Sequence, residues 1–73
     1  MNMKINNEHE YRRALIFQER KTMVHVSRIN GIFTNGLLIE VSKEFFIIKD
    51  RFSGKEITIF YSELKKPLVV WHE

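Results

Sequence analysis

Three histidines, His9, His25 and His72, are the only imidazoles in the chain, and there is no cysteine. A nucleophilic site needs a hydroxyl or thiol beside a base, and a helical metal site needs ligands one turn apart. None of the three histidines has such a neighbour. The acid pairs Glu8 with Glu10 and Glu40 with Glu44 read as helix-start and strand-edge acids rather than as an acid and base couple. Three glycines are too few for a phosphate-cradling loop. The residue types that do chemistry therefore predict no catalytic residue, no metal, no cofactor and no enzyme.

The cations are arranged more tellingly. Arg12, Arg13, Arg20 and Lys21 fall in or just after one helical segment. With Lys4 they give five positive charges against Glu8, Glu10 and Glu19, so residues 1–21 carry +2 of the formal net charge of +3. Cations near a helix C-terminus also complement the macrodipole, so a solvated helix face accounts for them as readily as a polyanion contact does. Phe33, Phe52, Tyr61 and Trp71 are aromatics on which bases could stack. Phe33 and Tyr61 lie in alternating segments, where a core or subunit contact is the first reading. Lys65-Lys66 before Pro67 reads as a charged guard on an edge connector.

The elements that must hold these residues follow from the periodicity. Residues 1–73 make one domain: 73 residues cannot enclose two cores. Asn7 with Glu10 three positions on is a capping-box variant. Tyr11, Ala14, Leu15 and Gln18, widened by Ile16 and Phe17, form a helical stripe, which predicts a helix over about residues 7–20. From residue 22 the period becomes two and β-branched and aromatic residues rise. Five strands are expected over about 22–73: Met23 to Ile29, Ile32 to Ser42, Glu44 to Lys49, Glu56 to Tyr61 and Leu68 to Trp71. Asn30-Gly31 is placed as a two-residue hairpin turn and Asn35-Gly36 as a bulge or bend in the second strand. A flat sheet of five such strands would leave an apolar face in water. The fold class expected is therefore mainly β: an N-terminal helix followed by a strongly bent, five-stranded antiparallel small barrel.

Helix and five strands with a glycine-bent second strand resemble the Sm-like fold, akin to SH3-like barrels. The run Ile29-Asn30-Gly31-Ile32-Phe33-Thr34-Asn35-Gly36-Leu37-Leu38 is most similar to the Hfq-like proteins, through Asn-Gly-Ile, three residues, then Gly. The resemblance implies a non-catalytic RNA-binding protein, an RNA chaperone or post-transcriptional regulator, acting as a homo-oligomeric ring joined through strand edges. It implies a rim contact through Arg12, Arg13, Arg20 and Lys21, and a second-strand contact through Gly31, Ile32 and Asn35, with Asn35 where the family has an adenine-contacting Gln. The chain departs from the family in the fourth strand, where Phe60-Tyr61-Ser62 replaces a Tyr-Lys-His run.

Two readings are carried forward. One is this RNA-binding ring, with single-stranded RNA and further copies of the chain as partners. The other is a small SH3-like barrel serving as a protein-interaction or structural subunit. No run of residues approaches the roughly 20 apolar residues that span a bilayer, so a cytoplasmic location without a membrane partner is expected.

Overall fold

The computed structural model describes residues 5–72. Helix α1 spans Asn7–Glu19 and is capped by Asn6, whose side chain accepts the His9 N–H at 3.1 Å. The cap thus lies one residue before the Asn7 expected. Glu10 is not the reciprocal capping carboxylate but turns inward and is buried. At the other end Thr22 N–H donates to Phe17 O and Lys21 N–H to Gln18 O, with Lys21 at φ +53°. This doubly bonded exit satisfies two terminal carbonyls and places a lysine where glycine is the usual occupant.

Strands β1 (Val24–Ser27), β2 (Phe33–Val41), β3 (Phe45–Asp50), β4 (Glu56–Phe60) and β5 (Val69–Val70) follow in chain order. All neighbours are antiparallel, and the spatial order is β4-β3-β2-β1-β5. Alternation sends Val24, Val26, Leu38, Phe46, Ile48 and Ile59 to a dry inner face. Ala14 of α1 and Tyr61, Leu64 and Leu68 of the connector between β4 and β5 complete this core, with Ile5, Tyr11 and Phe17 packed against it.

The closed barrel is not formed. β4 and β5 occupy opposite edges of an open sheet and do not pair. The expectation of closure assumed that nothing else could cover the inner face. Instead α1 and the 3-10 turn Tyr61–Glu63, which follows β4 directly, cover it. Tyr61 therefore leaves the fourth strand, and its ring packs 5.6 Å from that of Phe46. The Sm-like identification falls with the barrel, as does the SH3-like one: what stands is one helix and an open antiparallel sheet.

Two further details of the second strand differ from expectation. The register shift lies between Leu38 and Glu40, not at Asn35-Gly36, and Gln18 Nε2 donates to the carbonyl of the intervening Ile39 at 3.0 Å. Gly36 is in register opposite Asp50, and glycine is required there by close approach: a Cβ would lie 1.9 Å from Lys49 O. The β1–β2 connection is also longer than a two-residue turn. Gly31 alone takes a positive φ, +84°, and its N–H donates to Arg28 O at 2.9 Å.

Candidate nucleic-acid interface

The face of the sheet opposite the core carries the side chains of alternate residues, among them Met23, His25, Phe33, Asn35, Leu37, Lys49 with Glu56 of β4 in register opposite it, and, on the edge strand, Val69. Register puts His25 between Asn35 of β2 and Val69 of β5, and Leu37 opposite Lys49 of β3. His25 is half-buried. Its Nδ1 lies 2.5 Å from Asn35 Oδ1 and its Nε2 lies 3.4 Å from Ser27 Oγ. A proton on Nδ1 makes the ring a donor to the amide and leaves Nε2 to accept the serine hydroxyl. The ring also packs against Phe33, with centroids 5.4 Å apart. Phe33 nevertheless keeps 65% of its surface in solvent.

The β3–β4 turn supplies the second part of the face. Ser53 N–H and Oγ–H donate to Asp50 Oδ2 at 2.8 and 2.9 Å, and Gly54 N–H, with φ +73° at that residue, returns to Asp50 O at 2.9 Å. The Ser53 backbone N–H, then its hydroxyl, hold the Asp50 carboxyl below its usual range. Arg51 N–H donates to Asn35 O at 2.7 Å, which joins this turn to β2. The Arg51 guanidinium lies 4.5 Å from the Trp71 ring centroid and 5.7 Å from that of Phe52. Cation and aromatics are thus held together beside β1 and β2.

Two shallow hollows lie in this region. One, of about 310 Å³, is lined by Met23, Leu37, Lys49, Asp50, Arg51 and Gly54. The other, of about 450 Å³, is lined by His25, Ser27, Lys66, Pro67 and Val69. Both are floored largely by carbon and edged by cations or polar groups, the first by the Asp50 carboxylate as well, a composition that suits a planar base.

No protein-family model, curated protein or solved structure matches this chain. Among the described residues no group of three or more His, Asp or Glu is placed to hold a metal ion, and no helix is long and apolar enough to cross a membrane.

The seven residues singled out by sequence do not share one surface. Arg12 is exposed and paired with Glu8 at 2.9 Å. Arg13 lies 3.2 Å from Glu10, with its guanidinium 5.3 Å from the Phe17 ring centroid. Arg20 and Lys21 are exposed at the helix end, just before β1. Gly31 and Ile32 lie in the turn after β1, at that strand's other end, and only Asn35 lies in the middle of the outer face. Lys49, Arg51, Phe52 and Trp71 hold places on the face or its border that spacing alone did not bring together. The signal for part of this was present: Lys49 and Arg51 are two apart at the end of a strand, and Asp50-Arg51-Phe52-Ser53-Gly54 is an Asx-turn sequence.

Proposed function

We propose that this chain is a cytoplasmic, non-catalytic protein that binds single-stranded RNA on the outer face of its sheet. The carrying observation is Phe33, largely exposed yet braced by the His25 ring, on the face that also bears Lys49 and lies beside Arg51. An exposed ring fixed at its edge is a base platform that loses little freedom on binding, and adjacent cations follow a phosphate backbone. Asn35 lies between the two clusters, its side chain bonded to His25 and its carbonyl to Arg51 N–H.

Anisotropy titrations of labelled single-stranded oligonucleotides at several salt concentrations test this reading. Phe33→Ala weakens binding by roughly 5- to 100-fold, the range of one lost stacking contact. Lys49→Ala weakens it about equally for every sequence and lowers the salt slope by about one. Arg20→Ala with Lys21→Ala measures any phosphate contact by the helix end. If the wild-type protein binds neither oligo-A nor oligo-U at low salt, the RNA reading is wrong and the protein-interaction module takes its place.

Assembly through strand edges is a second reading. β4 and β5 each end the sheet on one side and can add a strand there, and Phe60, Val69 and Val70 are exposed on them. Sedimentation equilibrium over a range of concentrations checks it, with a stable monomer at micromolar protein as the contrary result.

A further inference from the structure

From Ile29 to Ile39 the chain carries no charged side chain. At the start of this run the β1–β2 turn presents Ile29, Ile32 and Phe33, exposed to 67, 53 and 65%. Three N–H groups of the turn are answered from within the protein. Gly31 N–H donates to Arg28 O, Ile29 N–H to Glu63 O and Ile32 N–H to the Asn30 side-chain oxygen, at 2.9, 2.8 and 2.9 Å. Each amide answered in this way leaves water at less cost than a bare donor would.

The connector after β4 sets cations beside this apolar tip. Leu64 bridges Arg28, and Lys65 N–H donates to Ser27 O at 2.8 Å, so exposed Lys65 stands next to the base of the turn, with exposed Lys66 one residue further on at the hollow beside Ser27 and His25. The neighbouring Glu63 carboxylate is engaged, accepting Phe60 N–H at 2.9 Å and lying 3.9 Å from Arg28 Nη1.

Three projecting side chains offer a few hundred Å², short of the roughly 600 Å² per partner that a stable protein interface requires. A second copy of the chain is therefore a poor occupant. A bilayer surface accepts so small an apolar wedge when electrostatic attraction supplements it. We infer that the β1–β2 turn is a membrane-surface contact, with Ile29, Ile32 and Phe33 entering the headgroup–acyl boundary of an anionic bilayer while Lys65 and Lys66 meet its phosphates. This contact departs from the expectation of no membrane partner, which rested on the lack of a bilayer-spanning apolar run, and a surface contact needs no such run.

Co-sedimentation with vesicles of phosphatidylcholine, alone or with phosphatidylserine at about one part in three, tests the inference. Wild-type protein pellets with the anionic vesicles and scarcely with the neutral ones. Ile29→Ser with Ile32→Ser lowers that binding by about tenfold or more, and Ile29→Ser alone, at a residue outside the RNA contacts, lowers it in part while RNA binding is unchanged, so that this contact can fail while the RNA face stands. Lys65→Ala with Lys66→Ala lowers it by about fivefold per charge. In Ile32→Trp the added tryptophan emission shifts to the blue on anionic vesicles. The inference is overturned if wild-type protein does not pellet at low salt, if the double serine variant pellets as before, or if that variant instead dissolves a dimer.

Discussion

Leu68 N–H donates at 2.7 Å to the carboxylate of Glu10, a residue 58 positions earlier in the chain. The carboxylate is 2% exposed and also receives Arg13, whose Nη1 lies 3.2 Å from the same oxygen. One buried acid on the first turns of α1 therefore holds the segment that leads into β5. Pro67 has no N–H, so Leu68 provides the first amide available beyond it.

Glu10→Ala strands the Leu68 amide in the core and leaves half-buried Arg13 without its carboxylate. Urea unfolding should show a loss of about 3 kcal/mol. Glu10→Gln keeps an acceptor and should lose less, and equal losses for the two variants would show that the carboxylate oxygens do not hold Leu68.

Gly36 and Gly31 separate two reasons for glycine. At Gly36 a methyl group meets Lys49 O at 1.9 Å, whereas at Gly31 it meets nothing within 4 Å and the strain is only that of φ +84°. Gly36→Ala should destabilise by about 3 kcal/mol or more, because backbone must move, and Gly31→Ala by about 1 kcal/mol. Thermal melts of the two variants compare them directly, and similar melting temperatures would exclude the close approach of β2 and β3.

Lys21 occupies the left-handed position after α1 at φ +53°. Lys21→Gly removes the steric penalty and should stabilise the protein by about 1 kcal/mol. A drop in chemical stability would mean that the lysine side chain contributes more than its backbone geometry loses.

Tyr61 is buried, and its hydroxyl donates to Ser42 O at 2.9 Å. Burial first, then Tyr11 and Glu10, push its pKa from 10.0 up to about 12. The folded state therefore holds the proton more tightly than the unfolded chain. The stabilisation is fully present below pH 10 and is lost as the pH rises from 10.0 to about 12. Tyr61→Phe should be less stable than wild type by about 1 kcal/mol near neutral pH, and that gap should close across the alkaline range. A gap independent of pH would place the hydroxyl in water.

The helix was legible within a residue at each end, since its period and flanking polar residues are local properties. So were all five strands, apart from one or two terminal residues, because alternation is local as well. Which residue of the stripe turns inward was not. Glu10 reads as a helix-start acid, and its burial depends on an amide 58 residues away. Tyr61 continues the alternation of β4 yet begins a 3-10 turn, and that turn helps cover the face whose apparent exposure suggested a barrel. Of the outer face, Asn35 was singled out, but His25 beside it was noted only as lacking the neighbours of a nucleophilic or metal site. Their adjacency is set by cross-strand register, which the local pattern does not specify.

The strand order β4-β3-β2-β1-β5 has a consequence for how the chain comes apart. Three of its four pairings join consecutive strands, whose loops close quickly and early. The fourth brings β5 back to β1 through two residue pairs, Val24 with Val70 and His25 with Val69. This ladder is the shortest pairing of the sheet, and amide exchange at this seam is expected to run through openings smaller than global unfolding. Because His25 lies on that seam, opposite Val69, any such opening would free one side of its ring, so that the border of the outer face could change while the β1–β4 meander kept its pairing.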